Sequence, residues 1–220
     1  DGTQLSPTPL VREHYSLRGL SPGAPGGAFV VWEYVFDFPD GSGTQFKWSA
    51  QRVDVLGNRP APWAADGALI RSFANNSGGG TNYLYPLGLF DDGALGARLA
   101  VLDQTFIAEP MTLFRLYDIG PAGTVTPITI QNSAFGGYPV LAAACDGDFG
   151  GGVVVIGLQK TFAQPPNPLP PSPLFAQYVD PIGAPLWPGN PGAQLNLAGQ
   201  TGTGGLAACS DGAGGGFFAW

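Results

Sequence analysis

Carboxylates stand in close pairs at three places in this sequence, and paired carboxylates can act as general acid and base or bind a hard cation. The pairs are Asp37 with Asp40, Asp91 with Asp92, and Asp146 with Asp148. A glycoside hydrolase needs two carboxyl groups at a defined separation, which closeness in sequence does not establish. Asp91, Asp92 and Asp146 also fall at glycine-rich turns of a repeat, so turn formation is the preferred interpretation.

The segment Asp146–Gly150 is the sharpest candidate for a metal site, because two oxygen donors stand two residues apart on a Gly-rich loop. It lacks the third acidic residue and the distal glutamate that complete a calcium loop. We therefore predict no metal ion and no other cofactor.

Nucleophilic catalysis has little support in the residue inventory. The single histidine, His14, stands between Glu13 and Tyr15, where a solvated strand edge is the preferred interpretation over a general base. No Gly-x-Ser-x-Gly elbow is present, and no Ser or Cys partner is evident from the sequence. The sequence predicts a protein that is not an enzyme.

Composition limits the classes of function. The net charge of −7 argues against nucleic-acid binding, and no apolar run reaches the roughly 18–20 residues of a transmembrane segment. With 44% hydrophobic residues, the chain can form a core, and 35 glycines with 22 prolines indicate many turns. Cys145 and Cys209 lack metal-site spacing; they could form one disulfide, but the preferred interpretation is two free cysteines buried in apolar strands. Only two lysines and no initiator Met favour an extracellular, cell-surface or periplasmic protein.

An internal repeat of about 63 residues supplies the elements that position these residues. Each unit contains an apolar strand, a turn, a second apolar strand and two further short strands. The predicted equivalent turn residues are Pro22, Asp92, Asp146 and Asp211, and those of the next turn are Asp54, Asp118 and Asp180. The predicted equivalent core residues are Trp32, Leu102, Ile156 and Trp220.

Four short strands in each unit, without helical periodicity, predict an all-β fold: a β-propeller-like array of about 3.5 four-stranded blades. The repeats span about 1–65, 66–127 and 128–191, with a partial copy at 192–220, in a single domain. Either the chain closes as four blades with one incomplete, or a larger ring is completed by further sequence or another chain. The second alternative is preferred, because closure normally removes an unpaired sheet edge.

The repeat resembles the blade repeat of predicted β-propellers in secreted bacterial proteins. The shared pattern is Asp-Gly-x-Gly-Gly, a hydrophobic strand ending in Trp, then Ala-Gln-Arg-Val-Asp-x-x-Gly and a further Trp. Gly212–Trp220, Ala50–Trp63 and Ala176–Trp187 match it best. The first copy lacks the turn aspartate and the second lacks the Gln and the Trp. The resemblance implies a propeller fold and secretion, and it implies no single activity.

Two inserted segments are the predicted binding loops. The first, Glu33–Phe46, carries Tyr34, Phe36 and Phe38, and the second, Lys160–Pro173, carries Pro165, Pro168, Pro170 and Pro171. Function concentrates in loops on rigid scaffolds, and a stiff Pro-rich segment loses little entropy on docking. We therefore predict a non-catalytic binding or assembly module that contacts other protein subunits or a second copy of itself. A variable loop without a role is the alternative for each segment.

Two rival functions remain open at the level of sequence. A lectin-like propeller would use Trp63 and Trp187 as stacking platforms, and partly exposed aromatic rings beside polar groups would favour it. A glycan-cleaving hydrolase on a propeller scaffold is less expected. A funnel lined by carboxylates with an arginine would favour the hydrolase.

Overall fold

The chain folds into β-sheets joined by short turns. The computed structural model describes residues 13–23, 26–38, 41–76, 81–92, 95–106, 110–129, 140–147, 152–159, 174–188, 193–195, 206–213 and 215–219. Across these residues every regular element is a strand, which confirms the all-β prediction. No helix in the described residues could cross a membrane.

The strands form four antiparallel sheets in chain order. Sheet 1 contains β1 (Glu13–Pro22), β2 (Gly27–Asp37), β3 (Gly43–Asp54) and β4 (Ala68–Asn76). Sheet 2 contains β5 (Thr81–Asp91), β6 (Ala97–Phe106), β7 (Pro110–Ile119) and β8 (Val125–Thr129). Sheet 3 contains β9 (Val140–Gly147), β10 (Val153–Gln159), β11 (Leu174–Val179) and β12 (Ala193–Gln194). Sheet 4 contains β13 (Ala207–Ser210) and β14 (Gly216–Ala219).

The sheets divide the chain one strand later than the predicted repeats do. β4 lies beyond the predicted boundary at residue 65, yet it pairs with β3 and completes sheet 1. β12 likewise lies beyond residue 191 and pairs with β11 of sheet 3. The structural unit is therefore a four-stranded meander that starts with β1, β5 or β9.

Five-residue turns connect the first two strands of sheets 1, 2 and 4, and strand pairing corrects two predicted turn positions. Backbone N–H groups of Gly23, Asp92 and Asp211 donate to the carbonyl four residues later at 3.0, 3.3 and 3.2 Å. Pro22 instead pairs with Ala28, and Asp146 pairs with Val154, so both are strand residues. Sequence spacing alone could not detect the shift, because glycine and aspartate occur at several neighbouring positions.

The turn after the third strand recurs with the same geometry in sheets 1, 2 and 3. Its position shows that Asp118 is not equivalent to Asp54 and Asp180. Asp54 and Asp180 each cap their turn, with Oδ1 accepting the N–H groups two and four residues later at 2.8–3.0 Å. The same backbone turn in sheet 2 begins at Gly120. Asp118 lies two residues earlier, in β7, where it accepts a hydrogen bond from Arg98 Nε at 3.3 Å.

Successive sheets pack face to face. We call the face of a sheet that points to the next sheet its forward face, and the opposite face its rear face. Phe29, Val31 and Trp48 on the forward face of sheet 1 are buried with Leu99 and Val101 on the rear face of sheet 2. The forward face of sheet 2 contributes Ala100, Leu102, Phe114 and Leu116 to a second cluster that includes Val179 of sheet 3.

The predicted equivalence of Trp32 and Leu102 is wrong, although both side chains are buried. Trp32 lies five residues after its turn and Leu102 six, so the pleat directs them to opposite faces. Leu102 belongs to the forward face of sheet 2, whereas Trp32 is on the rear face of sheet 1 beneath Gly67. The side chain of Ile156 and residue Trp220 lie outside the described part of the chain.

The first predicted binding loop is regular strand. Most of Glu33–Phe46 belongs to β2 and β3, which pair from Gly27–Asp54 to Asp37–Thr44. Aromatic residues alternate along this segment, as they do in a pleated strand. The interpretation of the segment as an insertion overlooked this signal. The second predicted loop, Lys160–Pro173 with Pro165, Pro168, Pro170 and Pro171, lies outside the described residues.

Candidate functional site

The rear face of sheet 1 carries an open cleft of about 260 Å³. Its lining combines aromatic, charged and hydroxyl side chains: Glu13, Tyr15, Trp32, Tyr34, Lys47, Ser49 and Asp66. Strand pairing sets this composition, because Tyr15 lies opposite Tyr34 and Lys47 lies opposite the same tyrosine on the other side. The cleft thus contains Tyr34, one of the predicted binding residues.

Tyr34 is the best-anchored side chain in this cleft. Its hydroxyl donates to Glu13 Oε1 at 2.7 Å, and the Lys47 ammonium lies 5.5 Å from its ring centroid. Tyr15 packs against it with ring centroids 5.2 Å apart. Burial, together with the hydrogen bond to the Glu13 carboxylate and the charge of that group, raises the pKa of Tyr34 to about 12. Burial also raises the pKa of Tyr15.

Phe36 and Phe38 lie beyond the cleft, at the end of β2. Their rings meet edge to face with centroids 5.6 Å apart, and both side chains are half-buried. The structure thus keeps these two predicted binding residues beside one another near the hairpin end of sheet 1. Binding by them remains a prediction.

Exposed leucines surround the cleft on the rear face of sheet 1. Leu20 is 64% exposed, and Leu17 and Leu69 are exposed to a similar degree. Leu20 has a counterpart in sheet 2, because Leu20 and Leu89 each lie three residues before the five-residue turn. Leu89 packs against the core between sheets 1 and 2, and its Cβ lies 3.2 Å from the position a Cβ on Gly19 would take.

The forward face of sheet 4 also exposes an apolar residue whose counterpart in another sheet is buried. Phe29 and Phe217 each lie two residues after the five-residue turn, so they hold the same repeat position. Phe29 is fully buried against sheet 2, whereas Phe217 is 71% exposed. Phe218, on the rear face of sheet 4, meets the Trp187 ring edge to face at 6.2 Å.

The predicted sugar-stacking tryptophans lie between sheets. Trp63 is only 6% exposed, packs edge to face on Phe29 at 6.1 Å, and donates Nε1–H to the Pro121 carbonyl at 2.8 Å. Trp187 is half-buried against Phe218. The Trp63 ring therefore serves as packing between sheets 1 and 2, and it has no exposed face on which a sugar could stack.

Two of the turn aspartates form hydrogen bonds within their own turns. Asp92 accepts the Gly96 N–H at 2.9 Å, and Asp211 accepts the Gly215 N–H at 2.8 Å, as expected of turn aspartates. His14 is exposed on β1. No cluster of three or more His, Cys, Asp or Glu residues suited to a metal occurs among the described residues. Asp148 and the Asp146 side chain lie outside them.

Sequence reasoning missed the inward-facing ion pairs of sheets 1 and 2. Glu33 is buried, accepts Trp48 Nε1–H at 2.8 Å and pairs with Arg18. Alternation along β2 was the available signal, since Glu33 follows the buried positions Phe29 and Val31 on the same face.

Comparisons with known proteins add no identification. No protein-family model matches the chain, and no curated protein or solved structure shows significant similarity to it.

Proposed function

We propose that this protein is a non-catalytic assembly module whose sheets are blades of a β-propeller-like array completed between chains. The forward face of sheet 4 in one copy packs on the rear face of sheet 1 in the next. This arrangement repeats the contact that sheet 1 makes with sheet 2. The few lysines and the Ser, Thr, Asn and Gly content of the chain support action outside the cytoplasm, at a cell surface, in the periplasm or in the extracellular medium.

The exposed pair Leu20 and Phe217 carries the proposal. At the same repeat positions, Leu89 packs into the core and Phe29 is fully buried. Burying a large apolar side chain contributes about 1.5–3 kcal/mol, so a surface that repeats a buried interface gains free energy from a matching partner. A second copy is the matching partner at hand, because each chain has both faces.

The packing of the first strands supports a radial arrangement. β1 contacts β5, β5 contacts β9, and β9 contacts β13, so the first strand of each sheet follows that of the previous one. Among the described residues no contact of comparable extent joins β13 to β1. Within the described strands, no sheet packs on the rear face of sheet 1 or on the forward face of sheet 4.

Light scattering tests the proposal through paired variants. We expect the unmodified chain to exceed its 22.7 kDa monomer mass at rising concentration. Leu20→Asp and Phe217→Asp should each remain monomeric, because each buries a charge in the interface. A mixture of the two should form a one-to-one dimer, since each variant retains one intact face.

The matched control is Leu56→Asp, which places the same charge at an exposed leucine in a turn of sheet 1. This variant should assemble like the unmodified chain. A monomer mass for the unmodified chain at all concentrations, or loss of assembly in the control alone, would contradict the proposal.

A further inference from the structure

The cleft on the rear face of sheet 1 holds more negative than positive charge. Its charged lining residues are Glu13, Asp66 and Lys47, two carboxylates against one ammonium. The Asp66 side chain is exposed and forms no hydrogen bond or ion pair with another described residue. Burial raises the pKa of Tyr15 most, and the charges of Glu13 and Asp66 raise it further, so both carboxylates act on the same phenol. A positively charged ligand therefore suits this cleft, and the net charge of −7 adds to the attraction.

The aromatic rings of the cleft are arranged for a cation rather than for a stacked sugar. Tyr15 and Tyr34 are tilted by 51° with their ring centroids 5.2 Å apart, and Lys47 Nζ lies 5.5 Å from the Tyr34 centroid. The Trp32 ring is only 6% exposed beneath Gly67. A sugar needs an open ring face, whereas tilted rings with carboxylates beside them attract a cation. The Lys47 ammonium already makes such a contact in this cleft.

The cleft also has room and apolar surface for a short hydrocarbon chain. Its volume of about 260 Å³ is larger than one ammonium group requires. Leu17 lies opposite Trp32 in the strand pairing, so it shares the rear face, and it is 66% exposed. Glu13 Oε1 accepts the Tyr34 hydroxyl at 2.7 Å, and a carboxylate can accept several hydrogen bonds. A primary ammonium donates three hydrogen bonds, so it matches two carboxylates better than a quaternary ammonium does.

We propose that this cleft binds a primary alkylammonium group. The ammonium pairs with the Glu13 and Asp66 carboxylates, and the alkyl chain lies along the Tyr15 ring. Free diamines and the side chain of lysine share this chemistry.

This ligand site does not depend on assembly between chains. In the proposed assembly Ala219 takes the repeat position of Val31, since each lies four residues after its turn. Glu13 pairs with Phe36, which lies five residues further along β2 than Val31. The Glu13 end of the cleft is therefore beyond the level of that contact.

Isothermal titration calorimetry with cadaverine, N-acetyl-lysine amide and 1,5-pentanediol tests the ligand class. We expect the ammonium ligands to bind, with affinity that falls as salt is added. The diol has hydroxyl groups in place of both ammonium groups of cadaverine. It should bind at least about tenfold more weakly, because charge-assisted hydrogen bonds are the stronger ones. The tighter of the two ammonium ligands identifies the source as a free diamine or a lysine side chain.

Three variants test the charges of the cleft. Asp66→Asn should weaken cadaverine binding about fivefold, as expected for the loss of an exposed ion pair. Asp37→Asn is the matched control, because it removes the same charge from the opposite face of sheet 1 and should leave binding unchanged. Lys47→Met removes the competing positive charge and should strengthen binding about threefold.

Each other outcome contradicts the proposal. Equal binding of the diol and cadaverine would show that the cleft does not recognise charge. Equal weakening by Asp66→Asn and Asp37→Asn, or weaker binding in Lys47→Met, would show that these carboxylates do not form the site. Absence of binding of both ammonium ligands to a chain with a cooperative unfolding transition would overturn the proposal entirely. Light scattering of the same samples reports assembly separately, so failure of the ligand site and failure of assembly are distinguishable.

Discussion

At the scale of single residues, the role of a side chain depends more on its position in the repeat than on its residue type. Phe29 and Phe217 are chemically identical, yet one is core and the other is surface, because among the described residues a neighbouring sheet covers only Phe29. Trp63 looks like a sugar platform in the sequence. Its Nε1–H donates to Pro121 in the turn after β7 of sheet 2, and its ring packs on Phe29 of sheet 1. The adjoining sheet therefore decides whether an aromatic residue is available for binding.

Truncation of Trp63 tests its structural role. We expect Trp63→Ala to lower the free energy of unfolding by about 3–5 kcal/mol, since it removes a buried aromatic ring between two sheets. Denaturant titration measures the change. Trp63→Phe should cost less, because it keeps an apolar ring and loses mainly the hydrogen bond to Pro121. Unchanged stability in Trp63→Ala would show that the ring is not core.

The phenol of Tyr34 should lose its proton at a higher pH than an ordinary tyrosine does. Its pKa is about 12 in the folded chain and 10.0 in an unperturbed tyrosine, so folding favours the protonated phenol. The associated stabilisation is complete below pH 10 and is lost as pH rises through 12. Spectrophotometric titration of phenolate absorbance should show a late step that Tyr34→Phe removes. A titration curve in which Tyr34→Phe removes an ordinary step near pH 10 would contradict the described contact with Glu13.

At the scale of elements, the sequence predicted the strands well and their phase less well. Apolar runs and Gly-rich turns identified β1, β2, β5 and β6, because strand and turn chemistry are local. The exact register depends on pairing between strands, which the local sequence does not encode. Asp118 was aligned with turn aspartates, although in the structure it lies in β7 and Gly120 begins the turn. Backbone hydrogen bonding fixes that register, and either an aspartate or a glycine can satisfy the turn.

The dependence on strand pairing also limits how much of the candidate sites could be predicted from the sequence. Tyr34 was identified from its aromatic segment, and it does line a cleft. Its partners Glu13 and Lys47 come from neighbouring strands, so strand pairing had to be known before they could be grouped. A cleft between sheets 1 and 2, lined by His14 and Asn82 among others, likewise requires the packing of two sheets, which no spacing within one repeat encodes.

The loop that contains Gly67 leaves no room for a side chain, and a comparison with Gly41 separates this steric effect from backbone strain. Gly67 and Gly41 have similar positive φ values of 76° and 72°, so alanine at either position costs about 1–2 kcal/mol of backbone strain. Only at Gly67 would the new Cβ collide, 2.5 Å from the Ala50 carbonyl oxygen and 2.6 Å from the Trp32 ring. We expect Gly67→Ala to be clearly less stable than Gly41→Ala in thermal unfolding. Equal destabilisation would show that Trp32 is not held beneath this loop.

At the scale of the whole molecule, the proposed assembly joins two faces that expose apolar side chains. The rear face of sheet 1 exposes Leu17, Leu20 and Leu69, and the forward face of sheet 4 exposes Phe217. A head-to-tail contact between copies uses different surfaces on each chain, so it closes a ring or extends into a filament according to its rotation.

Engineered cysteines give the most direct test of that contact. Gly19 and Ala207 each lie four residues before their turn, so in the proposed assembly Leu20 faces Ala207 as Leu89 faces Gly19. A Cβ on Gly19 would lie 3.2 Å from Leu89 Cβ, slightly inside the roughly 3.5–4.5 Å of a disulfide, so a small shift of the backbone brings two cysteines into range. Leu20→Cys with Ala207→Cys should therefore cross-link neighbouring chains under mild oxidation.

The decisive measurement is a non-reducing gel of this double variant, with both native cysteines replaced by serine. Gly19→Cys with Leu89→Cys in the same background is the positive control, which should form a disulfide within each chain. We expect Leu20→Cys with Ala207→Cys to give bands at multiples of 22.7 kDa that return to the monomer mass on reduction. If the control forms its disulfide while the test variant stays monomeric, assembly through these two faces is contradicted.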